Sequence, residues 1–175
     1  MESLFNDNAS GAVISDCGQY RYQLWRTWDE SKPKVLFIML NPSTADHNTD
    51  DRTIRRCIGF AKSWGYGGIM VGNLYAYRAT KPKNLFKHIV ERKHQCTSDP
   101  DNAENIVEML LKCNKMVYAW GTNGNKYFRG REFVSTLPDG YFIELSKDGT
   151  PKHPLYLKGD LKLEKYISEE RVVIK

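Results

Sequence analysis

The stretch Val35–Asp51, VLFIMLNPSTADHNTDD, decides the fold. Val35 to Leu40 is apolar without alternation, so a strand here is covered on both faces, as in a parallel sheet flanked by helices. Pro42 withdraws a backbone donor and ends the ladder. A dense polar set follows: Asn41, Ser43, Thr44, Asp46, His47, Asp50 and Asp51. An apolar strand that runs into a polar loop is where an α/β domain places its ligand. The same residues also suit a plain loop leading to a helix, with Asp50 or Asp51 as its N-cap.

Downstream the pattern repeats. Ile54, Ile58 and Ala61 recur at helical spacing and predict a helix over Asp51–Trp64, stopped by Gly65 and Gly67-Gly68. Ile69–Tyr75 reads as a second buried strand that ends in another polar cluster, Asn73–Thr80. The basic segment Lys81–Pro100 reads as a solvated helix or loop, or as a phosphate-binding arm. Asn102–Cys113 is an amphipathic helix, Met116–Trp120 a third strand ending at Gly121-Thr122-Asn123-Gly124, and Lys126–Leu137 a further helix. A fourth strand, Tyr141–Leu145, leads through a loop to a terminal helix near Leu161–Ile167. Upstream, Ala12–Trp28 reads as a hairpin turning at Asp16-Cys17-Gly18-Gln19, whose Arg21 and Gln23 alternate with apolar neighbours, at a sheet edge or flap.

Alternating strands and helices imply a right-handed, three-layer α/β sandwich, with a central, mostly parallel four-stranded sheet and an N-terminal antiparallel hairpin. A single domain over 1–175 accommodates the chain of 175 residues. In such a sheet the loops 41–51, 73–80, 121–125 and 146–156 share one rim and converge on one pocket.

Bulk composition narrows the setting. The net charge of +5 permits a polyanionic partner without demanding one. The four cysteines form no C-x-x-C pair, which argues against a zinc ribbon or a disulfide framework. The N-terminal MESLFNDNASG lacks the basic start and apolar core of a signal peptide, and no apolar run has membrane-spanning length. A cytoplasmic protein without a membrane role is expected, and no obligate protein partner is evident.

Within the pocket, Asn41 can hold a water or a planar ligand edge, or merely form an Asx-turn. Asp46 sits mid-loop without a capping job, which suits a general base; with Asp50 and Asp51 it also suits Mg²⁺ ligation. Asn73 and Arg78 pair an amide with a guanidinium at the second strand's end. Tyr75 and Tyr77 could stack on a base or fill the core. The Gly121 turn resembles a phosphate cradle in composition, with Lys126, Arg129 and Arg131 behind it, but lacks Walker spacing. His153 is set by its Pro151-Lys152-His153-Pro154 bracket, which suits a group that must meet a reacting atom.

Leu40-Asn41-Pro42, Asn73 with Arg78, and His153-Pro154 together resemble the motif order of the uracil-DNA glycosylase superfamily. From Tyr20 to Leu157 the chain also resembles an uncharacterised bacterial and phage domain family marked by LNPSTAD, NLxAxR and HPLYL. The first resemblance implies a uracil-DNA glycosylase-like fold and cleavage of the N-glycosidic bond of a nucleobase or modified nucleotide, with DNA the expected carrier. It implies Asn41, Asp46 and His153 as catalytic residues. Pro42, Ser43, Thr44, Asn73, Tyr75, Arg78, Gly121, Thr122 and Asn123 would bind substrate, with neither cofactor nor metal required. NPSTAD and HPLYL depart from the superfamily's glycine after Asn-Pro and its H-P-S-P. Two other readings stand beside it: a metal-dependent phosphoesterase built on Asp46, Asp50, Asp51 and His153, and a non-catalytic nucleic-acid or nucleotide reader.

Overall fold

The computed structural model describes residues 9–91, 100–125 and 139–166. The apolar run forms strand β3, Lys34–Met39, at the middle of a seven-stranded sheet ordered β1-β2-β4-β3-β5-β6-β7. The other strands are β1 (Ser10–Ile14), β2 (Arg21–Thr27), β4 (Gly68–Asn73), β5 (Lys115–Tyr118), β6 (Tyr141–Phe142) and β7 (Glu164–Lys165). β3 runs parallel to β4 and β5, and β5 is parallel to β6 through the pair Val117–Tyr141. β1–β2, β2–β4 and β6–β7 are antiparallel. The sheet is therefore mixed and broader than the four strands expected.

Side chains alternate across β3 as pleating requires. Val35, Phe37 and Met39 pack with Ile54, Cys57 and Phe60 of helix α1 (Arg52–Ser63). Leu36 and Ile38 face the other way, onto Leu85 of α2 (Pro82–Glu91) and Ile106 and Met109 of α3 (Pro100–Lys112). With apolar layers on both faces, β3 has no polar side to alternate. Asp51 caps α1 by accepting from the Ile54 N–H at 2.9 Å, and Gly65, at φ 83°, follows the helix end.

One expectation is refined and two are corrected. The hairpin does sit at the sheet edge, with β1 outermost, but β2 is paired on both sides, to β1 and β4, and Arg21 and Gln23 are buried rather than facing solvent. The fourth strand shortens to Tyr141–Phe142. In place of a terminal helix starting at Leu161, Glu164 and Lys165 pair with Phe142 and Tyr141, while Leu161 and Leu163 pack on the α1-side core. The helix expected over Lys126–Leu137 lies outside the described residues. Among the described residues no helix is long and apolar enough to cross a membrane.

Candidate functional site

The topology opens a crevice at one place. From β3 the chain turns through α1 to β4, whereas β5, on the other side of β3, leads away toward β6. Loops leaving adjacent parallel strands in opposite directions part at their carboxyl ends, where ligands of open α/β sheets bind. A cavity of about 1100 Å³ lies there, walled by the strand ends Met39 and Trp120, the start of α1 and the His153 loop.

Hydrogen bonds set the orientation of Asn41. Its Nδ2 donates to the carbonyls of Pro42 (2.9 Å) and Ala79 (2.7 Å), joining the loops after β3 and β4. Two carbonyl acceptors require the NH₂ on that side. Oδ1 is left as an acceptor in a residue that lines the cavity. Ser43, Thr44, Gly121, Thr122, Asn123 and His153 line the same cavity.

His153 is held just as firmly. It caps the short 3-10 turn Pro154–Tyr156, its Nδ1 accepting the Leu155 N–H at 3.3 Å. With Nδ1 an acceptor, the neutral ring carries its proton on Nε2. Burial holds the imidazole below its ordinary 6.5, opposed by the nearby Asp51 carboxylate. From the other side, the Gly121 N–H binds the Pro151 carbonyl at 2.9 Å, and Arg56 of α1 donates to the Leu157 carbonyl. The arrangement is a neutral donor fixed at a cavity wall.

Five residues expected in the site lie outside the lining. Asp46 has a structural task after all: its Oδ1 accepts the N–H groups of Asn48 (3.0 Å) and Thr49 (2.9 Å), which hold the carboxyl below the usual range. The Pro42 carbonyl accepts from Asn41 and from Ala79 N–H. Arg78 donates to the carbonyls of Ser43 (3.4 Å) and Gly18 (3.2 Å), clamping loop to hairpin. Tyr75 is buried among Leu74, Leu85 and Phe86, and Tyr77 stacks on His88 with ring centroids 3.6 Å apart. Asn73 is 1% exposed, with both amide atoms unpartnered among the described residues.

Two further residues set the charge of the cavity: Asp51, weighed above as a helix cap or Mg²⁺ ligand, and Arg21, which no motif singled out. Asp51 caps α1 and also lines the wall, where its charge acts on both Arg21 and His153. Arg21 lines the cavity while only 2% exposed, and burial pushes its guanidinium down to about 10. Asp50 instead pairs with Arg26 at 2.8 Å. Asp46, Asp50 and Asp51 thus have separate partners, and the described residues contain no group of three or more His, Cys, Asp or Glu placed to hold a metal ion.

Fold and site together define a mixed α/β protein with a ligand-sized cavity at the carboxyl ends of its parallel strands. The chain belongs to the family described as "Protein of unknown function (DUF1643)", which matches residues 21–155, from Arg21 through the His153 turn. No curated protein and no solved structure matches it.

Proposed function

We propose that this protein hydrolyses the N-glycosidic bond of a nucleobase-bearing substrate, in DNA or as a nucleotide, on a uracil-DNA glycosylase-like framework. The observation that carries the reading is the pairing, on one cavity, of an acceptor fixed in orientation, Asn41 Oδ1, with a neutral donor fixed in tautomer, His153 Nε2–H. The reaction needs these two polarities. As the C1′–N bond breaks, its electron pair moves onto the base, and the sugar approaches an oxocarbenium ion. His153 Nε2–H donates to the base atom that gains negative charge, and a neutral donor does so without first giving up its proton. Asn41 Oδ1 accepts from the water that attacks C1′, whose released proton restores the neutral base or passes to solvent.

Asp46 does not carry the water in this reading, because its carboxylate holds the loop. Of the two carboxylates that line the cavity, Glu144 is paired with Lys152, which leaves Asp51 to act on the reacting groups. The test is incubation with DNA and nucleotides bearing varied and modified bases, followed by mass spectrometry. Release of free base supports the proposal. Strand scission that needs added Mg²⁺ would point to a phosphoesterase, and binding without any product to a reader.

A further inference from the structure

Arg21 is a buried cation of the cavity wall that glycosidic cleavage leaves unused. A guanidinium offers five N–H donors. Here Nη1 gives one bond, to the Ala45 carbonyl at 2.8 Å, and the buried Nε has no partner among the described residues. A buried cation left without a close anion is costly, so such a group in a cavity wall marks where an anion would be bound. Asp51 is the carboxylate whose charge Arg21 feels most, but it makes no ion pair with Arg21, and its Oδ1 is occupied by the Ile54 N–H. Arg78 and Arg26 add further positive charge nearby.

The first turn of α1 adjoins Arg21 through Asp51 and supplies donors of its own. The backbone N–H groups of Arg52 and Thr53 precede the helix's internal bonding, which begins with Arg55 N–H to the Asp51 carbonyl. Arg52 and Thr53 line the same cavity as Arg21. Helix N-termini favour anions, and a twelve-residue helix has a developed dipole.

We propose that Arg21 and the first turn of α1 form an anion subsite for the terminal phosphate of a mononucleotide. This rests on the reading of the site as nucleobase-directed and names its substrate class. The cavity of about 1100 Å³ is large enough to admit sugar and phosphate along with a base. A wall group only 2% exposed receives a chain end far more readily than a phosphodiester continuing on both sides. A phosphate monoester carries up to two negative charges, which Arg21, Arg52 and the helix terminus complement.

A probe without a base tests the subsite apart from base preference. 2-Deoxyribose 5-phosphate should bind the full chain and raise its melting temperature, should compete with inorganic phosphate, and should weaken as salt rises, whereas 2-deoxyribose should do none of these. Arg21→Gln should weaken the phosphorylated sugar roughly tenfold or more, and Arg52→Ala several-fold. Should Arg21→Gln fail to fold, Arg52→Ala and Thr53→Ala, both at the solvent end of α1, decide the matter. Equal binding of the two sugars, or phosphate binding unchanged in these variants, overturns the subsite. Base release from internal positions of DNA without phosphate preference would keep the glycosidase reading and overturn the subsite. Phosphate-dependent binding of mononucleotides without base release would keep the subsite and overturn that reading.

Discussion

Leu155 donates its backbone N–H to Nδ1 of His153 at 3.3 Å, and that bond leaves the neutral imidazole with its proton on Nε2, as a donor. Burial lowers the affinity of this ring for a second proton below the ordinary 6.5. Activity should therefore hold at neutral pH and fall on an acid limb lying below 6.5, as His153 becomes charged. The same shift affects stability. The unfolded chain takes up the proton first, so this contribution is present above 6.5 and is lost as pH falls toward the depressed folded value. His153→Gln should remove that part of the melting-temperature profile and lower kcat/KM by about 10²–10⁴. An acid limb unchanged in the variant would remove His153 from the chemistry.

Asn41 joins two functions that substitution can separate. Its NH₂ joins the loops after β3 and β4, while Oδ1 lies on the cavity residue. Asn41→Ala removes both and should cost at least tens-fold in turnover, about the lower range for a positioned group. Asn41→Asp keeps an acceptor but sets a carboxylate against two carbonyls, and should destabilise the fold by about 1–3 kcal/mol. The expected pattern is a larger loss of melting temperature in Asn41→Asp and a larger loss of base release in Asn41→Ala. Turnover intact in Asn41→Ala would remove Asn41 from the chemistry.

The central strand and its polar exit were legible because burial on both faces erases alternation, and Val35–Leu40 carries that mark undiluted. Arg21 was not legible. Alternation places it with Gln23, which bonds Asn105 and Glu108 of α3. The β1–β2 register shifts by one residue, pairing Val13 with Gln23 and Ile14 with Arg21, so Tyr22 is extra. Such a bulge re-aims the side chain beyond it, here toward Ala45 and the cavity. Asp46 misled for a different reason, since a carboxylate bonding N–H groups two and three residues on has the same local sequence as one left free for catalysis. The final strand did leave a signal: Leu161 and Leu163 repeat at a period of two, and both pack on the core.

Gly121 holds the turn against which His153 is seated. Its φ of +74° is unfavourable for any residue with a side chain, and a Cβ there would lie 3.2 Å from His153 Cβ. Gly121→Ala should cost about 1–2 kcal/mol for the left-handed backbone and push the imidazole from its place. The expected kinetic signature is a fall in kcat exceeding any rise in KM, with a modest drop in melting temperature. A variant with altered stability but unchanged kcat would show that the turn and His153 are not coupled.

Arg26 holds the loop of Asp46 and Asp50 from beneath. Nε meets Asp50 Oδ1 at 2.8 Å, while the Nη atoms reach the carbonyls of Trp25 (2.8 Å), Asp46 (2.7 Å) and, more distantly, Gly11 (3.3 Å). The Arg26 side chain is only 10% exposed and that of Asp50 28%, so removing the cation leaves a partly buried carboxylate and several carbonyls without their donor. Arg26→Met should therefore destabilise by about 3–5 kcal/mol, the range for breaking a buried pair by deleting one partner. Asp50→Asn should cost less, because Arg26 keeps its carbonyl acceptors. Urea denaturation of both single variants and the double variant gives the coupling, expected at about 1–3 kcal/mol for groups in direct contact. A coupling near zero would assign the loop's anchorage to the carbonyl bonds alone.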